Sequence, residues 1–368
     1  MVSLTTVRAS NARLKTAIPG ITALFVGGTT GIGQSTLRQL AIHSEKPKVY
    51  IIGRNKEKAS PFLAELSKLN PGGRFQFIET DVSLIRNVDR ACEVIKDKED
   101  RLNMLFMTPG GISLSGRRET PEGIDQIFAL RYYSRMRFIQ NLLPLLSAAT
   151  PARVISIFGG GFESSINTSD LDLKHNFSIL NCAKHAITMT SLSMEHLAST
   201  TASQQQQQQQ PTKNSHGAVS FMHIYPSLVR SNIYTNSFPP PIAAFYNYVL
   251  WPTMWPFSVD VQESGERHLF HLTSACYPGG NGDSSGTITS KQQSDGISAS
   301  IPGDPSDMET AIGSNGERGS GSYLLNWKGN GTPGSKIMQK YREEGLPEIV
   351  WAHTIDRLDK AASRNISQ

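Results

Sequence analysis

The sequence predicts an α/β protein built on a doubly wound parallel sheet. Three observations carry that expectation. Short apolar runs alternate with segments of helical periodicity along most of the chain. The first clear run, Ala23–Val26, breaks at Gly27-Gly28 and passes into a helix-like stretch. Later runs end in Gly, Asp or Pro, as strands do where they hand over to crossover helices. At 368 residues the chain is long for one such domain, which ordinarily needs about 250, so inserts or extensions are expected.

Residues 1–20 read as an N-terminal arm or a first helix, and 21–332 as one domain. Within it, Ile21–Leu40 (ITALFVGGTTGIGQSTLRQL) is a strand, a glycine turn and a helix start. Such a turn gathers backbone N–H groups and the positive end of a helix dipole, where a diphosphate can sit. Gly27 permits the tight turn, Gly31 lets backbone approach the phosphates, and Gly33 lets helix pack on strand. Thr29, Thr30 and Ile32 fill the rest of the cradle. An ordinary strand-to-helix turn is the alternative. A second strand, Lys48–Ile52, closes at Gly53-Arg54-Asn55. In a dinucleotide-binding unit an acid here meets a ribose hydroxyl, and a base accommodates a 2′-phosphate. Arg54, with Lys56 and Lys58 behind it, favours NADP(H) over NAD(H), against a solvated helix start.

Phe75–Ile78 is a third strand, ending at Asp81 and Val82, and residues 84–98 have helical periodicity. Met104–Met107 is a fourth strand, entering Thr108-Pro109-Gly110-Gly111. Residues 122–147 read as a long amphipathic helix, and Arg153–Phe158 as a fifth strand closed by three glycines. The next helix, 180–199, runs into the tract Gln204–Gln210; residues about 200–215 read as a disordered surface insert, and the tract suggests a eukaryotic source. A sixth strand, Ala218–Ile224, ends at Tyr225-Pro226-Ser227. Of the twenty residues 238–257, seven are aromatic and five are proline. That segment is an apolar lid, a packing loop or a membrane-surface contact; its prolines forbid a spanning helix. A helix over 261–274 follows. Residues 277–321, rich in Gly, Ser and Asp, read as a long flexible insert. Tyr323–Trp327 is the last strand, and helices near 333–345 and 347–362 finish the chain.

Net charge is +5 and pI about 9.0, without a Lys/Arg block, so nucleic acid is not an expected partner. Cys92, Cys182 and Cys276 are too widely spaced for a metal or redox pair, and their odd number fits a reducing, cytoplasmic setting. The N-terminus lacks an apolar core of signal-peptide length, and no transmembrane segment is expected.

The Gly27-x-x-x-Gly31-x-Gly33 spacing resembles the short-chain dehydrogenase/reductase family, with Val26 where its motif begins with Thr. The resemblance implies a Rossmann-like fold and hydride transfer between a nicotinamide and a carbonyl or alcohol. It further implies that Asp81 and Val82 line the adenine pocket, although an Asp there is also a common helix cap. Of the Asn-Asn-Ala-Gly usual after the fourth strand, only Gly110 matches. Pro226, Val229 and Ser231 fall on the family segment that holds the nicotinamide carboxamide.

The family's chemistry rests on Tyr-x-x-x-Lys, a Ser and an Asn. Here Lys184 stands at the Lys position, Leu180 at the Tyr position, Gly159 at the Ser position and Arg131 at the Asn position. Leucine exchanges no proton, so a usual relay needs a substitute. Tyr225 is the first candidate, ahead of Ser164, Ser165, Tyr132 and Tyr133. Lys184 read alone is also an ordinary surface lysine, and Arg131 is a permanent cation able to hold an anionic oxygen or a cofactor phosphate. The degenerate tetrad, the aromatic stretch and the glutamine tract together resemble fungal secondary-metabolism relatives of the family. The leading expectation is an NADP(H)-dependent reductase or dehydrogenase with a non-standard proton relay. Its expected substrate is a bulky lipophilic metabolite, and a homo-oligomer is possible for the family. The alternatives are a cofactor-binding pseudoenzyme and a non-redox isomerase or cyclase.

Overall fold

The computed structural model describes residues 2–111, 116–207, 218–230, 244, 248, 251–280, 308–332 and 335–364. Its strands are β1 (Thr22–Val26), β2 (Lys48–Gly53), β3 (Arg74–Glu79), β4 (Met104–Met107), β5 (Ala152–Ile157), β6 (Val219–Tyr225) and β7 (Ser322–Asn326). They form one sheet in the order β3-β2-β1-β4-β5-β6-β7, every neighbouring pair parallel. The order reverses between β1 and β4. In such sheets ligands bind at the carboxyl edge beside that reversal.

β4, and β1 from Ala23 onward, are wholly apolar because helices cover both faces. Side-chain alternation then sorts them between two cores. Leu24, Val26, Leu105 and Met107 enter one core, where they meet α5 (Ile85–Lys96), α7 (Ser134–Ser147) and α8 (Ile179–Gln207). Ala23, Phe25, Met104 and Phe106 enter the other, under α3 (Gly31–His43), α4 (Lys56–Leu69) and the helix Val261–Thr273. That last helix lies so close to α3 that a Cβ on Gly265 would sit 2.2 Å from Ser35 Oγ.

The N-terminal arm is a first helix, α1 (Leu4–Ala12), followed by α2 (Leu14–Ala17). Val7 and Leu14 are buried in the second core. Asn11 Nδ2 donates to Glu266 O at 2.8 Å, and Arg8 Nε pairs with the Glu266 carboxylate at 2.8 Å.

Three expectations need correction. The helix expected over 122–147 begins later and is broken: one turn, α6 (Gln126–Phe128), a π-helical stretch Ala129–Tyr133, then α7. Residues 200–207 are not a disordered insert, because α8 runs through Gln207 with Ala198, Thr201 and Ala202 buried. Glutamine is a good helix former, so the tract's first residues simply extend the helix; 208–217 lie outside the described residues. The flexible reading of 277–321 also fails at both ends. Tyr277 is buried between His271 and Tyr323. Ala311 N–H donates to Cys276 O, and Ile312 bridges Arg318. The glycines that suggested flexibility supply tight turns: Gly316, Gly319 and Gly321 have φ of +90°, +70° and +84°. Residues 281–307 lie outside the description. Of the expected aromatic lid, only Ala244, Tyr248 and 251–257 are described; Trp255 and Phe257 are exposed, and the Arg230 guanidinium stacks 4.0 Å from the Trp255 ring centre.

Three histidines, His223, His268 and His271, are fully buried. Burial pushes His223 down to about 3 and His268 to about 4, and holds His271 well below the usual 6.5. Folded-state values below the unfolded value mean that stability is complete above pH 6.5 and falls as the pH drops below it. The unfolded chain then takes up protons that the folded chain refuses. Each group contributes at most about 1.4 kcal/mol per pH unit. Glu163 and Glu195, whose carboxyl pKa burial raises, offset part of the loss. We expect the urea midpoint to fall between about pH 7 and about pH 5; a flat profile would contradict this account.

Candidate functional site at the carboxyl edge of the sheet

The turn between β1 and α3 has the close contacts that a diphosphate cradle needs. Gly27 has φ +85°, and a Cβ on it would lie 2.6 Å from Thr108 Oγ1. A Cβ on Gly33 would lie 2.4 Å from Gly27 O. Thr108 Oγ1 donates to Gly27 O at 2.9 Å, tying the turn to β4. Gly31, at φ +58°, opens α3; its N-cap Thr30 is exposed and makes no side-chain capping bond. The first-turn N–H groups are therefore not taken by a cap, which is the arrangement that receives an anion. Thr29 is half-buried beside Gly53 at the end of β2, and Ile32 packs on the core beneath. These residues fit a dinucleotide.

Beyond β2, Arg54 is exposed and makes no hydrogen bond or ion pair with the described residues. Asn55 is committed elsewhere: its Oδ1 accepts the Lys58 N–H at 2.7 Å and caps α4. Beyond β3, Asp81 is exposed and Val82 buried. Asp81 is not the helix cap. Its Oδ1 accepts the Ser83 N–H at 3.0 Å, while Glu122 takes the Ile85 and Arg86 N–H groups at 2.5 and 3.1 Å. Gly110 is exposed beyond β4. Beyond β6, Pro226 is half-buried, and Val229 is buried and bridges Val259. Ser227 has φ +62°, a left-handed backbone conformation that a residue with a side chain rarely adopts. Ser231 lies outside the described residues.

The positions of the chemistry are equally definite. Lys184 is half-buried on α8, and Leu180, one turn earlier, is 63% exposed. Gly159 is buried, with Ile187 Cδ1 2.6 Å from where a Cβ would stand. Tyr225, half-buried at the end of β6, packs edge-to-face on Phe162 with centroids 4.6 Å apart. Tyr132 and Tyr133 are fully buried and bonded away from this edge: Tyr132 to Ser193 and Thr354, Tyr133 to His353. Thr188 Oγ1 bonds both the N–H and the carbonyl of Ser164, and Ser165 is exposed.

Arg131 sits inside the π-helical stretch, 9% exposed. One terminal nitrogen donates to Gly111 O at 2.9 Å, and the guanidinium carbon lies 5.5 Å from the Phe158 ring centre. Arg135, which sequence reasoning missed, is 1% exposed and makes four hydrogen bonds. They reach Pro109 O (2.5 Å), Ser156 Oγ (2.6 Å), Ile157 O (3.0 Å) and Leu130 O (3.3 Å). Burial, with the Arg131 charge nearby, pushes Arg135 down to about 9, still a cation at neutral pH. Also missed was a buried chain behind Gly159. The Gly159 N–H donates to His223 Nε2 at 3.1 Å, so His223 carries its proton on Nδ1, toward Ser191 Oγ at 2.8 Å. Ser191 in turn donates to Glu163 Oε1 at 2.7 Å. The only sequence signal for either was a polar residue on a helix face or strand that ought to be apolar.

Residues 21–202 match the family model for short chain dehydrogenase. Over 99% of its length and all of the relative's, the chain is 61% identical to Oxidoreductase AN1596 of Emericella nidulans. It is 30% identical to Short-chain dehydrogenase/reductase SAT2 of Stachybotrys chartarum, over 99% of each chain. A short-chain type dehydrogenase/reductase from Mycobacterium ulcerans superposes with a TM-score of 0.50 at 18% identity, over 70% of this chain and 85% of that one. The parallel sheet, the glycine cradle at its carboxyl edge and these likenesses agree, and the chain belongs to the short-chain dehydrogenase/reductase family.

Proposed function

We propose that the chain is an NADP(H)-dependent oxidoreductase acting on a bulky apolar metabolite in a fungal secondary-metabolite pathway, in the cytoplasm. The observation that carries the cofactor choice is Arg54, exposed and, among the described residues, unpaired directly after β2. A guanidinium there is free to take a 2′-phosphate, while a neutral 2′-hydroxyl gains little from it. An exposed Leu180 and an exposed Phe162 at the rim favour an apolar ligand. Fungal relatives named as oxidoreductases support the reaction class.

When bound, NADPH supplies a hydride at its nicotinamide. In this reading Lys184 holds the nicotinamide ribose, and Pro226 and Val229 support the ring from the β6 loop. Arg131 holds the substrate oxygen. The proton comes from Tyr225, the last residue of β6, at the carboxyl edge of the sheet where such sites form. A second reading draws on Leu180 and Gly159, which have removed both hydroxyls of the usual relay. In it the protein binds NADP(H) without transferring hydride, or uses the pocket for an isomerisation or cyclisation. Hydride transfer from labelled NADPH separates the two.

We expect the wild type to bind NADP(H) about tenfold more tightly than NAD(H), and Arg54→Ala to abolish the difference. Calorimetric titration of both cofactors checks it, and equal wild-type affinities would remove the assignment. For the proton, Tyr225→Phe is expected to lower turnover by about a hundredfold while leaving NADP(H) affinity intact. Turnover that survives unchanged would send the proton to solvent or to the substrate's own groups.

A further inference from the structure

The edge between β4, β5 and α8 carries an excess of positive charge. Arg135 is engaged fully by carbonyls and one hydroxyl. Arg131 is not. Among the described residues it donates to Gly111 O and hydrogen-bonds the Cys182 thiol, and its buried Nε has no partner. No carboxylate pairs with Arg131 or Lys184 among the described residues. The four residues that follow Gly111 in the chain, Ile112, Ser113, Leu114 and Ser115, include no acid.

Burying a guanidinium without an anion is costly. Here a second cation stands close enough to depress Arg135. The nearby thiol of Cys182, which burial raises to about 11, offers no negative charge in return. A π-helical turn, itself less favourable than α-helix, is what carries Arg131. Such an arrangement is balanced by an anion that arrives with a ligand.

We infer that the substrate of this site is an anionic amphiphile: an apolar body bearing one acidic oxygen, carboxylate or enolate, which pairs with Arg131. The inference rests on the reading of this edge as a substrate site. The body of the ligand has apolar surface to meet in the Phe158 ring, Leu180 and Phe162. A cofactor phosphate is the other source of an anion. The diphosphate cradle, however, is built by the turn after β1, whereas Arg131 touches the residues that follow β4 and β5.

The test uses the full chain without cofactor and two fluorescent probes of matched shape. Anilinonaphthalene sulfonate carries an anion; phenylnaphthylamine does not. The wild type should bind the sulfonate about tenfold more tightly than the neutral probe. Arg131→Gln should erase that preference while keeping the neutral probe, and Arg131→Lys should retain part of it. Equal wild-type affinities overturn the proposal, as does a preference that survives Arg131→Gln. NADP⁺ affinity, followed by tryptophan fluorescence, should change less than about twofold in Arg131→Gln. A loss of about tenfold there assigns the guanidinium to the cofactor and also overturns the proposal. Should Arg131→Gln fail to fold, the wild-type comparison of the two probes decides alone. A chain that transfers no hydride yet shows the sulfonate preference would sink the oxidoreductase reading and leave this one standing.

Discussion

The site depends on one buried guanidinium. Arg135 takes the carbonyl of Pro109 beyond β4, the carbonyl of Ile157 and hydroxyl of Ser156 on β5, and the carbonyl of Leu130 in the π-helical turn. Strand ends leave carbonyls with no ladder partner, and each costs free energy if buried unmet. One planar donor group meets two of them at once, and a helix carbonyl as well. Hydrogen bonds to a charged donor contribute about 1.5–3 kcal/mol each, enough together to offset the several kcal/mol of desolvating the cation. The consequence is positional. Gly110 and Gly111, Gly159 and Arg131 all flank atoms held by this one side chain, so the floor of the site is a single rigid unit.

A second constraint operates at the cradle. Gly33 lies under the Gly27 carbonyl with no room for a methyl group, and Thr108 ties the same carbonyl to β4. The β1 turn and the end of β4 are thereby joined. On the other side of Gly159, the chain through His223, Ser191 and Glu163 joins β5, β6 and α8 without an exposed titrating group. Four strands and two helices are thus tied together through hydrogen bonds whose partners are far apart in sequence.

That distance explains what the sequence revealed and what it concealed. The strands were legible because a parallel sheet buried on both faces needs continuous apolar runs, and Ala23–Val26 and Met104–Met107 are such runs. The cradle was legible because glycine spacing has a local cause. The readings at residues 131, 159 and 180 rest on resemblance alone. Arg135, Glu122 and the histidine chain were not legible, since all their partners but Leu130 lie at least 21 positions away along the chain. Composition misled in two places. Glutamine suggested disorder where it extends a helix, and glycine suggested flexibility where it shapes turns.

The cofactor cradle and the chemistry come from different elements, and this separates their fates. The glycine turn follows β1, with Arg54 and Asp81 beyond β2 and β3; the groups proposed for the chemistry lie at the end of β6, in the π-helical stretch and on α8. Leu180, exposed on α8, is therefore on a different element from the Gly27–Gly33 turn. It presents an apolar surface, and Arg131 adds charge. On the proposed reading, a ligand that carries its own ionisable oxygen pairs with that charge while Tyr225 handles the proton. The guanidinium is then a group the ligand uses rather than a defect of the family's pattern.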